Sequence, residues 1–220
     1  MTFSNMLKEQ ASAAWEEGYA HGFVQGIGAG TLEQEAFKFY LMQDYWYLLG
    51  YAKVMALGVV KAQEERSMAL FSQAQHGILN GEMTLHREYM ASFGVTREEM
   101  DSIVPALNNR AYVGHMLSAA QQGGVAEIIA AVLPCAWTYA DYAKRLKARY
   151  ADRIENNPYA SWIHTYAGEG FAQSFEWFFP LLEKLSANMG EEAKQNIVRI
   201  FVDSTRFECL FWDMALKKQL

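Results

Sequence analysis

Hydrophobic side chains recur every three or four residues along most of the chain, which is the spacing of one face of an α-helix. Strand-like alternation never persists beyond a few residues. The pattern predicts an all-α bundle of about eight or more helices in one domain spanning residues 1–220. The predicted helices lie near Ser4–Tyr19, Thr31–Val60, Glu64–Phe93, Asn108–Gln122, Val125–Tyr150, Phe171–Met189 and Glu191–Lys217, with two short helices after Thr96 and near Tyr159.

Local signals predict where several helices begin and end. Thr31–Gln34 and Thr96–Glu99 both have the spacing of a capping box, in which the first side chain and the fourth side chain bond to each other's backbone. Gly94 is expected to end a helix in the left-handed conformation, and Pro180 is expected to kink one. The glycine-bearing segment His21–Gly30 is predicted to lie between helices, where it lacks the context of a nucleotide-binding loop.

Three predicted helices carry an apolar stripe that is interrupted by one residue capable of chemistry. Asp44, Cys135 and Glu208 are those residues, each on a different helix. Burying an unpaired carboxylate costs several kcal/mol and favours its neutral form. The stripes are Phe37, Tyr40, Asp44, Tyr47, Tyr51 and Val54; Ile128, Val132, Cys135, Tyr139, Tyr142 and Leu146; and Ile197, Phe201, Ser204, Glu208, Phe211 and Ala215.

A purely structural explanation of these groups is open. Asp44 and Glu208 would then cap backbone groups or pair with an arginine such as Arg110 or Arg206, and Cys135 would be a small core residue. Their occurrence together on inward faces favours an aromatic pocket with polar groups. Phenol rings that would line such a pocket are Tyr47, Tyr112, Tyr139 and Tyr166.

Composition narrows the class of protein. The net charge of −6 disfavours nucleic acid as a partner, and the basic residues within 144–153 are explained by the end of a helix. Two cysteines, Cys135 and Cys209, are too few for a disulfide scaffold. The longest apolar stretch, Ile128–Trp137, is about half of a membrane span and contains a proline, and the N-terminus lacks the features of a secretory signal. We expect a cytoplasmic protein that does not cross a membrane.

Several sequence pieces, in order and over nearly the whole chain, make it resemble the TenA family, the thiaminase II or aminopyrimidine aminohydrolase group of the haem-oxygenase-like fold. The Pro-Cys-x-x-x-Tyr piece, Pro134–Tyr139, resembles the members that use a cysteine. The matching pieces are His21–Leu32, Phe37–Leu48, Asn109–Tyr112, Leu133–Tyr139, Asn157–Ile163 with Tyr166, and Ser204–Ala215.

The resemblance implies a hydrolase that acts on a small-molecule aminopyrimidine without a metal or other cofactor. It would replace the substituent on the 5-methylene of a 2-methyl-4-aminopyrimidine by hydroxyl, as a step of thiamin salvage or degradation. The leaving group would be the amine of aminomethylpyrimidine or the thiazolium of thiamin. Because the family is usually tetrameric, the resemblance also implies a homotetramer.

The resemblance assigns roles to the candidate residues. Cys135 would add to the pyrimidine ring as the nucleophile, while Glu208 would exchange a proton at a ring nitrogen. Asp44 would accept a hydrogen bond from the ring amine. Cys209 has no role from the resemblance; it projects about 100° away from Glu208 on a helix, so we expect it to serve packing. The remaining assignments are Tyr112 and Tyr166 at the ring edge and the leaving group, with Tyr47, Tyr139 and Phe211 as walls that stack on the ring.

Two alternatives belong to other classes of function. A noncatalytic pyrimidine-binding or regulatory protein would keep the pocket without turnover. A haem or di-iron redox protein of the same fold would need clustered histidine and carboxylate ligands, yet the chain has five histidines and no Glu-x-x-His spacing. The nearest candidate pair, Glu82 and His86, is more simply explained as a solvated helix face.

Overall fold

The structure, a computed structural model, describes residues 1–220 apart from the side chain of Asp101. Within that description every regular element is helical, which confirms the all-α prediction. The α-helices are α1 (Phe3–Gln10), α2 (Ser12–Ala20), α3 (Gly22–Ala29), α4 (Gln34–Lys61), α5 (Glu65–Gly77), α6 (Met83–Ser92), α7 (Arg97–Asp101), α8 (Leu107–Gln122), α9 (Val125–Arg149), α10 (Ala160–Ala167), α11 (Glu169–Glu176), α12 (Phe178–Ser186) and α13 (Glu191–Lys217); a π-helical turn spans Ile78–Glu82 and a 3₁₀ turn spans Ile154–Asn156.

The helices group into two compact units, and each unit combines segments that are far apart in sequence. The first unit contains Met1–Glu33 and Ile129–Asp213. The second unit contains Gln34–Ile128 and Met214–Leu220. Residues from distant motifs are therefore neighbours within each unit.

The first unit is stabilised by aromatic packing and by a side chain of α12 that caps the N-terminus of α1. The rings of Phe23 and Trp212 stack with centroids 5.3 Å apart, and both side chains are buried. At the start of α1 the backbone N–H groups of Phe3 and Ser4 each donate to the Glu183 carboxylate at 2.8 Å. This carboxylate satisfies donors that the first turn of a helix leaves without partners, and it joins α1 to α12.

The second unit is built around α4, which packs against α5 and α8. Two glycines of α4 let these helices approach closely. A Cβ atom at Gly50 would lie 2.5 Å from Cγ1 of Val113, and one at Gly58 would overlap the Phe71 ring. Because Phe71 is fully buried, its ring has little room to move away.

The glycine-bearing segment differs from the prediction, because most of it forms α3, Gly22–Ala29. Glycine lowers helix propensity, but tertiary packing compensates here. A Cβ at Gly28 would meet Leu146 at 2.5 Å, so the absent side chain makes room for a close neighbour. His21 begins the helix by accepting from the Phe23 N–H, and Gly30 ends it in the left-handed region with φ 71°.

The second difference concerns the start of α4. The helix begins at Gln34, so Thr31 is three residues upstream and the predicted capping box there is wrong. The backbone N–H of Thr31 instead bonds to the Gly26 carbonyl, which belongs to the end of α3. The other box is confirmed, since Thr96 and Glu99 cap α7 reciprocally, and Gly94 has the expected positive φ of 74°.

Two long predicted helices are interrupted. The segment Glu64–Phe93 contains the π turn, and Ser4–Tyr19 is divided at Ala11. Pro180 does not kink a continuous helix, because it lies in the first turn of α12, where its missing N–H is not needed.

We expect Gly58→Ala to lower the free energy of unfolding by about 1–3 kcal/mol, because the added methyl group has to displace the buried Phe71 ring. Gly77→Ala is the matched control. Its position is helical and has open space around it, so alanine should raise the free energy of unfolding by about 0.5–1 kcal/mol. Urea denaturation of both variants measures this difference, and equal stability of the two would contradict the packing assigned to Gly58.

Candidate active site

The stripe on α4 is buried throughout, as predicted. Asp44 lies in the middle of this stripe and is 5% exposed. The neighbouring members Tyr40, Tyr47 and Val54 are buried as well. A carboxyl group in this setting has lost most of its hydration, so protein groups have to supply the hydrogen bonds that water would otherwise donate to its oxygens.

The close partner of Asp44 is a histidine and not an arginine. Nε2 of His86 lies 2.6 Å from Oδ2 of Asp44, and the Tyr40 hydroxyl donates to the same oxygen at a longer 3.4 Å. Nδ1 of His86 lies 3.0 Å from the carbonyl oxygen of Glu82. Arg110, which was one candidate partner, is exposed.

The interpretation of His86 as part of a solvated helix face is therefore wrong, since its side chain is 2% exposed. Met83, His86 and Met90 are buried together on α6. Their spacing of three and four residues is that of a helix face packed on the core. This stripe was the sequence signal for His86, and it was missed because Glu82 and His86 were considered only as metal ligands or as a solvated face.

The electrostatic environment of His86 favours its charged form. Burial lowers the pKa of the imidazole, but the hydrogen bond and the negative charge of Asp44 raise it, and Glu82 adds to that effect. The net result is a pKa above the ordinary value for histidine. The pair thus retains a proton in a place that excludes water.

Tyr47 and Tyr112 lie together in the same unit as Asp44. Their ring centroids are 5.1 Å apart, and the Tyr47 hydroxyl donates to the sulfur of Met116. A hydrogen-bond network next to Asp44 holds α8 in this register: Gln43 Oε1 accepts from the Ala106 N–H at 2.9 Å, and Asn109 Nδ2 donates to the Gln43 carbonyl at 2.7 Å. Asn109 belongs to one of the sequence pieces that carry the family resemblance, whereas no sequence signal indicated a role for Gln43.

The first unit contains the other candidate residues. Cys135 lies on α9, is partly exposed, and follows Pro134 within the helix. One helical turn further along, Tyr139 contacts the Tyr166 ring at 4.9 Å and the Trp212 ring at 5.1 Å. The predicted aromatic surroundings of Tyr139 and Tyr166 are thus present within one unit.

Glu208 lies on the inward face of α13 and is 2% exposed. Phe211, three residues later, is also buried and its ring contacts Trp212 edge to face. Arg206, the other arginine considered as an acid's partner, is exposed and lies 3.3 Å from Asp203. Glu208 and Phe211 therefore occupy the buried face that their spacing predicted.

The two cysteines differ in their surroundings. The Cys209 thiol donates to the carbonyl oxygen of Ala14 at 3.2 Å. Burial, followed by the negative charges of Glu17, Glu208 and Asp213, raises the pKa of the Cys209 thiol to about 12. A thiol in this state is a poor nucleophile, which agrees with a packing role for Cys209.

Neither a metal-binding cluster nor a membrane-spanning helix occurs among the described residues. They contain no group of three or more histidine, cysteine, aspartate or glutamate side chains arranged to hold a metal ion. Among those same residues, no helix combines the length and apolar character that a transmembrane span requires.

The fold defines the class of protein. A domain from Shewanella denitrificans, described as having a haem-oxygenase-like fold, matches this chain with a TM-score of 0.72 at 14% identity and covers 97% of this chain and 92% of its own. This similarity shows a haem-oxygenase-like fold, which places the chain in the all-α class. Within that class the chain belongs to the TENA/THI-4/PQQC family, whose model matches residues 8–218.

Named relatives cover the full length of the chain. The aminopyrimidine aminohydrolase of Halalkalibacterium halodurans is 39% identical over 100% of this chain and 98% of that protein. The Helicobacter pylori protein of the same name is 40% identical over 98% and 99%. A structure from Silicibacter sp. TM1040, described as a TenA family transcription regulator, has a TM-score of 0.90 at 30% identity and covers 97% of this chain and 96% of its own.

We expect iodoacetamide at about pH 8 to alkylate Cys135 and to leave Cys209 unmodified in the folded protein. With a pKa of about 12, only about one Cys209 thiol in 10,000 is ionised at that pH. Peptide mapping after a timed reaction identifies the modified residue. Cys135→Ser should take up no label when folded, whereas the unfolded wild type should label at both positions. Labelling of Cys209 at the rate of Cys135 would contradict the contrast between the two sites.

Proposed function

We propose that this chain is an aminopyrimidine hydrolase that replaces the substituent on the 5-methylene of a 4-amino-2-methylpyrimidine by hydroxyl. The observation that carries the proposal is the buried Asp44 carboxylate, fixed by His86, on the same stripe as Tyr47, whose ring packs against the Tyr112 ring of α8. A buried acceptor beside aromatic rings suits a flat heterocycle with a ring amine. The names of the bacterial relatives support the same class of reaction.

The reaction is a hydrolysis that needs no redox cofactor. The Cys135 thiolate adds to a ring carbon, and a ring nitrogen takes a proton, so the ring can push electrons toward the 5-methylene and expel the leaving group. Water then adds to the exposed methylene, and the thiolate leaves as the ring regains its aromaticity. With an amine as leaving group, one aminomethylpyrimidine and one water yield one hydroxymethylpyrimidine and one ammonia.

Cys135 and Glu208 are the residues we assign to the chemical steps. Cys135 is partly exposed on α9, which a nucleophile requires for access to a substrate. Glu208 is buried on the inward face of α13, and a positioned carboxyl group can exchange a proton with a ring nitrogen. Together they provide a nucleophile and an acid-base group.

Recognition of the pyrimidine is assigned to the remaining residues. Asp44 accepts from the 4-amino group, and Tyr112 and Tyr166 make polar contacts at the ring edge and near the leaving group. Aromatic walls are assigned to Tyr47, Tyr139 and Phe211, all of which are buried. These walls stack on the ring and exclude water from it.

We also propose the setting in which the enzyme works. It acts in the cytoplasm, in thiamin salvage or degradation, as a homotetramer and without nucleic acid, membrane or cofactor as a partner. The net charge of −6 supports the absence of a nucleic-acid partner. Sedimentation velocity of the purified protein tests the tetramer.

A noncatalytic, regulatory role is the second candidate, because the Silicibacter structure is described as a transcription regulator. Parallel turnover assays with aminomethylpyrimidine and thiamin separate the two candidates. Formation of hydroxymethylpyrimidine by the wild type and its loss in Cys135→Ser, which still binds the product, is the expected result. Product binding without turnover of either substrate by the wild type would favour the regulatory role.

Replacing Asp44 and Glu208 by the corresponding amides should have different effects, on affinity in one case and on the catalytic rate in the other. We expect Asp44→Asn to weaken binding of hydroxymethylpyrimidine by about 1–3 kcal/mol, because an amide mismatches the ring amine. Glu208→Gln should lower kcat by about 100-fold or more and change product affinity little, since its proton is needed only during reaction. Calorimetry and steady-state kinetics measure both, with the exposed Glu192→Gln on the same helix as control. Unchanged affinity in Asp44→Asn would reject its contact with the amine.

The pyrimidine, and not the leaving group, should determine which substrates react. We expect turnover of several 5-methylene substituents and a loss of on the order of 10⁴-fold in kcat/KM when hydrogen replaces the 4-amino group, because the buried acceptor is then left unpaired. Competition assays with free pyrimidine and free thiazole measure which half is recognised. Inhibition by the thiazole alone would show that the leaving group is the recognised half.

A further inference from the structure

Asp44 can recognise an amine only if one of its oxygens presents a lone pair toward it. A carboxyl group that is buried without a charged partner tends to take up a proton and can then present a hydroxyl group instead. We propose that His86 is a positioning residue that keeps Asp44 a hydrogen-bond acceptor and thereby sets the preference for 4-aminopyrimidines. This inference rests on the proposed function and adds to it a residue that does not contact the reacting atoms.

The hydrogen bonds of His86 determine where its protons lie. The Glu82 carbonyl oxygen can only accept, so Nδ1, at 3.0 Å from it, carries a hydrogen. Nε2 and Oδ2 of Asp44 are 2.6 Å apart, so a single proton lies between them. Whether this proton is bonded to Nε2 or to Oδ2, none is needed on Oδ1. The second carboxylate oxygen of Asp44 therefore remains an acceptor.

The surrounding structure fixes the imidazole in this orientation. His86 is buried between Met83 and Met90 on the inward face of α6, and its ring is bonded at both nitrogens. The carbonyl that holds Nδ1 belongs to the last residue of the π turn Ile78–Glu82. Such turns interrupt regular helices and are frequent near functional sites. A ring held at both ends can align a carboxylate without touching the substrate.

Two substitutions separate the two hydrogen bonds of His86. His86→Gln places an amide N–H near the position of Nε2, so it can still donate to Asp44. His86→Asn places its amide near the position of Nδ1, so it can still donate to the Glu82 carbonyl but does not reach Asp44. If His86 only stabilised the fold, there would be no reason for His86→Gln to keep more selectivity for the amino compound than His86→Asn.

The experiment measures affinity of the wild type and both variants for hydroxymethylpyrimidine and for its analogue with hydrogen in place of the 4-amino group. We expect His86→Asn to lose on the order of 10-fold or more in affinity for the amino compound, with little change for the analogue. His86→Gln should retain most of the wild-type selectivity. Losses that are equal for the two ligands, or equal in the two variants, would overturn the proposal.

A double-mutant cycle with Asp44→Asn separates positioning from folding. If His86 acts through Asp44, His86→Asn should cause no further loss of affinity in the Asp44→Asn background, whereas a separate structural effect would add to the loss. Turnover by the wild type together with additive losses would reject the role of His86 and leave the hydrolase function intact. Failure of the wild type to bind or convert any aminopyrimidine would reject both.

Nuclear magnetic resonance of the ring nitrogens provides a test that does not depend on the stability of the His86 variants. In the wild type we expect Nδ1 to carry a hydrogen and the Nε2 signal to show a shared, strongly downfield proton. That proton signal should disappear in Asp44→Asn. A ring with an unprotonated Nδ1, or an Nε2 signal that is the same in Asp44→Asn, would contradict the proposed hydrogen-bond arrangement.

Discussion

The contact between Asp44 and His86 is the interaction on which the proposed specificity depends. A carboxylate at the centre of a buried aromatic stripe is stable only if its charge or its proton is accommodated, and an imidazole at 2.6 Å accommodates either. The same contact explains why His86 occupies a position that otherwise belongs to an apolar side chain, between Met83 and Met90. It also gives the proposed substrate a fixed acceptor in place of a mobile carboxyl group.

The helices around this pair supply its rigidity. Gly50 and Gly58 let α8 and α5 approach α4, and the bonds of Gln43 to Ala106 and Asn109 set the register that brings Tyr112 to Tyr47. The proposed chemical step uses Cys135 of α9 and Glu208 of α13, which belong to the first unit, as do the packed rings of Tyr139 and Tyr166. Ring recognition and ring chemistry are thus assigned to different residues, which is why their variants are expected to differ in affinity and in rate.

Hydrophobic periodicity alone predicted which faces of the long helices are buried. The stripes of α4, α9 and α13 were identified from their spacing, and Asp44 and Glu208 are buried as those stripes require. Predictions from local helix signals were wrong where contacts with other residues determine the backbone conformation. The glycines of α3 are helical because Gly28 accommodates Leu146, and α4 starts at Gln34 because the Thr31 N–H bonds to the end of α3. The partner of Asp44 was missed because pairing across 42 positions in sequence leaves no mark on local spacing.

Hydrolysis in ¹⁸O-labelled water tests most directly whether the methylene is the site of reaction while the 4-amino group is left intact for recognition. With aminomethylpyrimidine as substrate, we predict that fragment mass spectrometry finds one ¹⁸O atom in the hydroxymethyl group and the 4-amino group intact. That result would mean that water replaced the substituent on the methylene and that the 4-amino group, which we propose as the partner of Asp44, took no part in bond cleavage. A label on ring carbon 4 with loss of the 4-amino group, or a hydroxymethyl product without the label, would contradict the assignment.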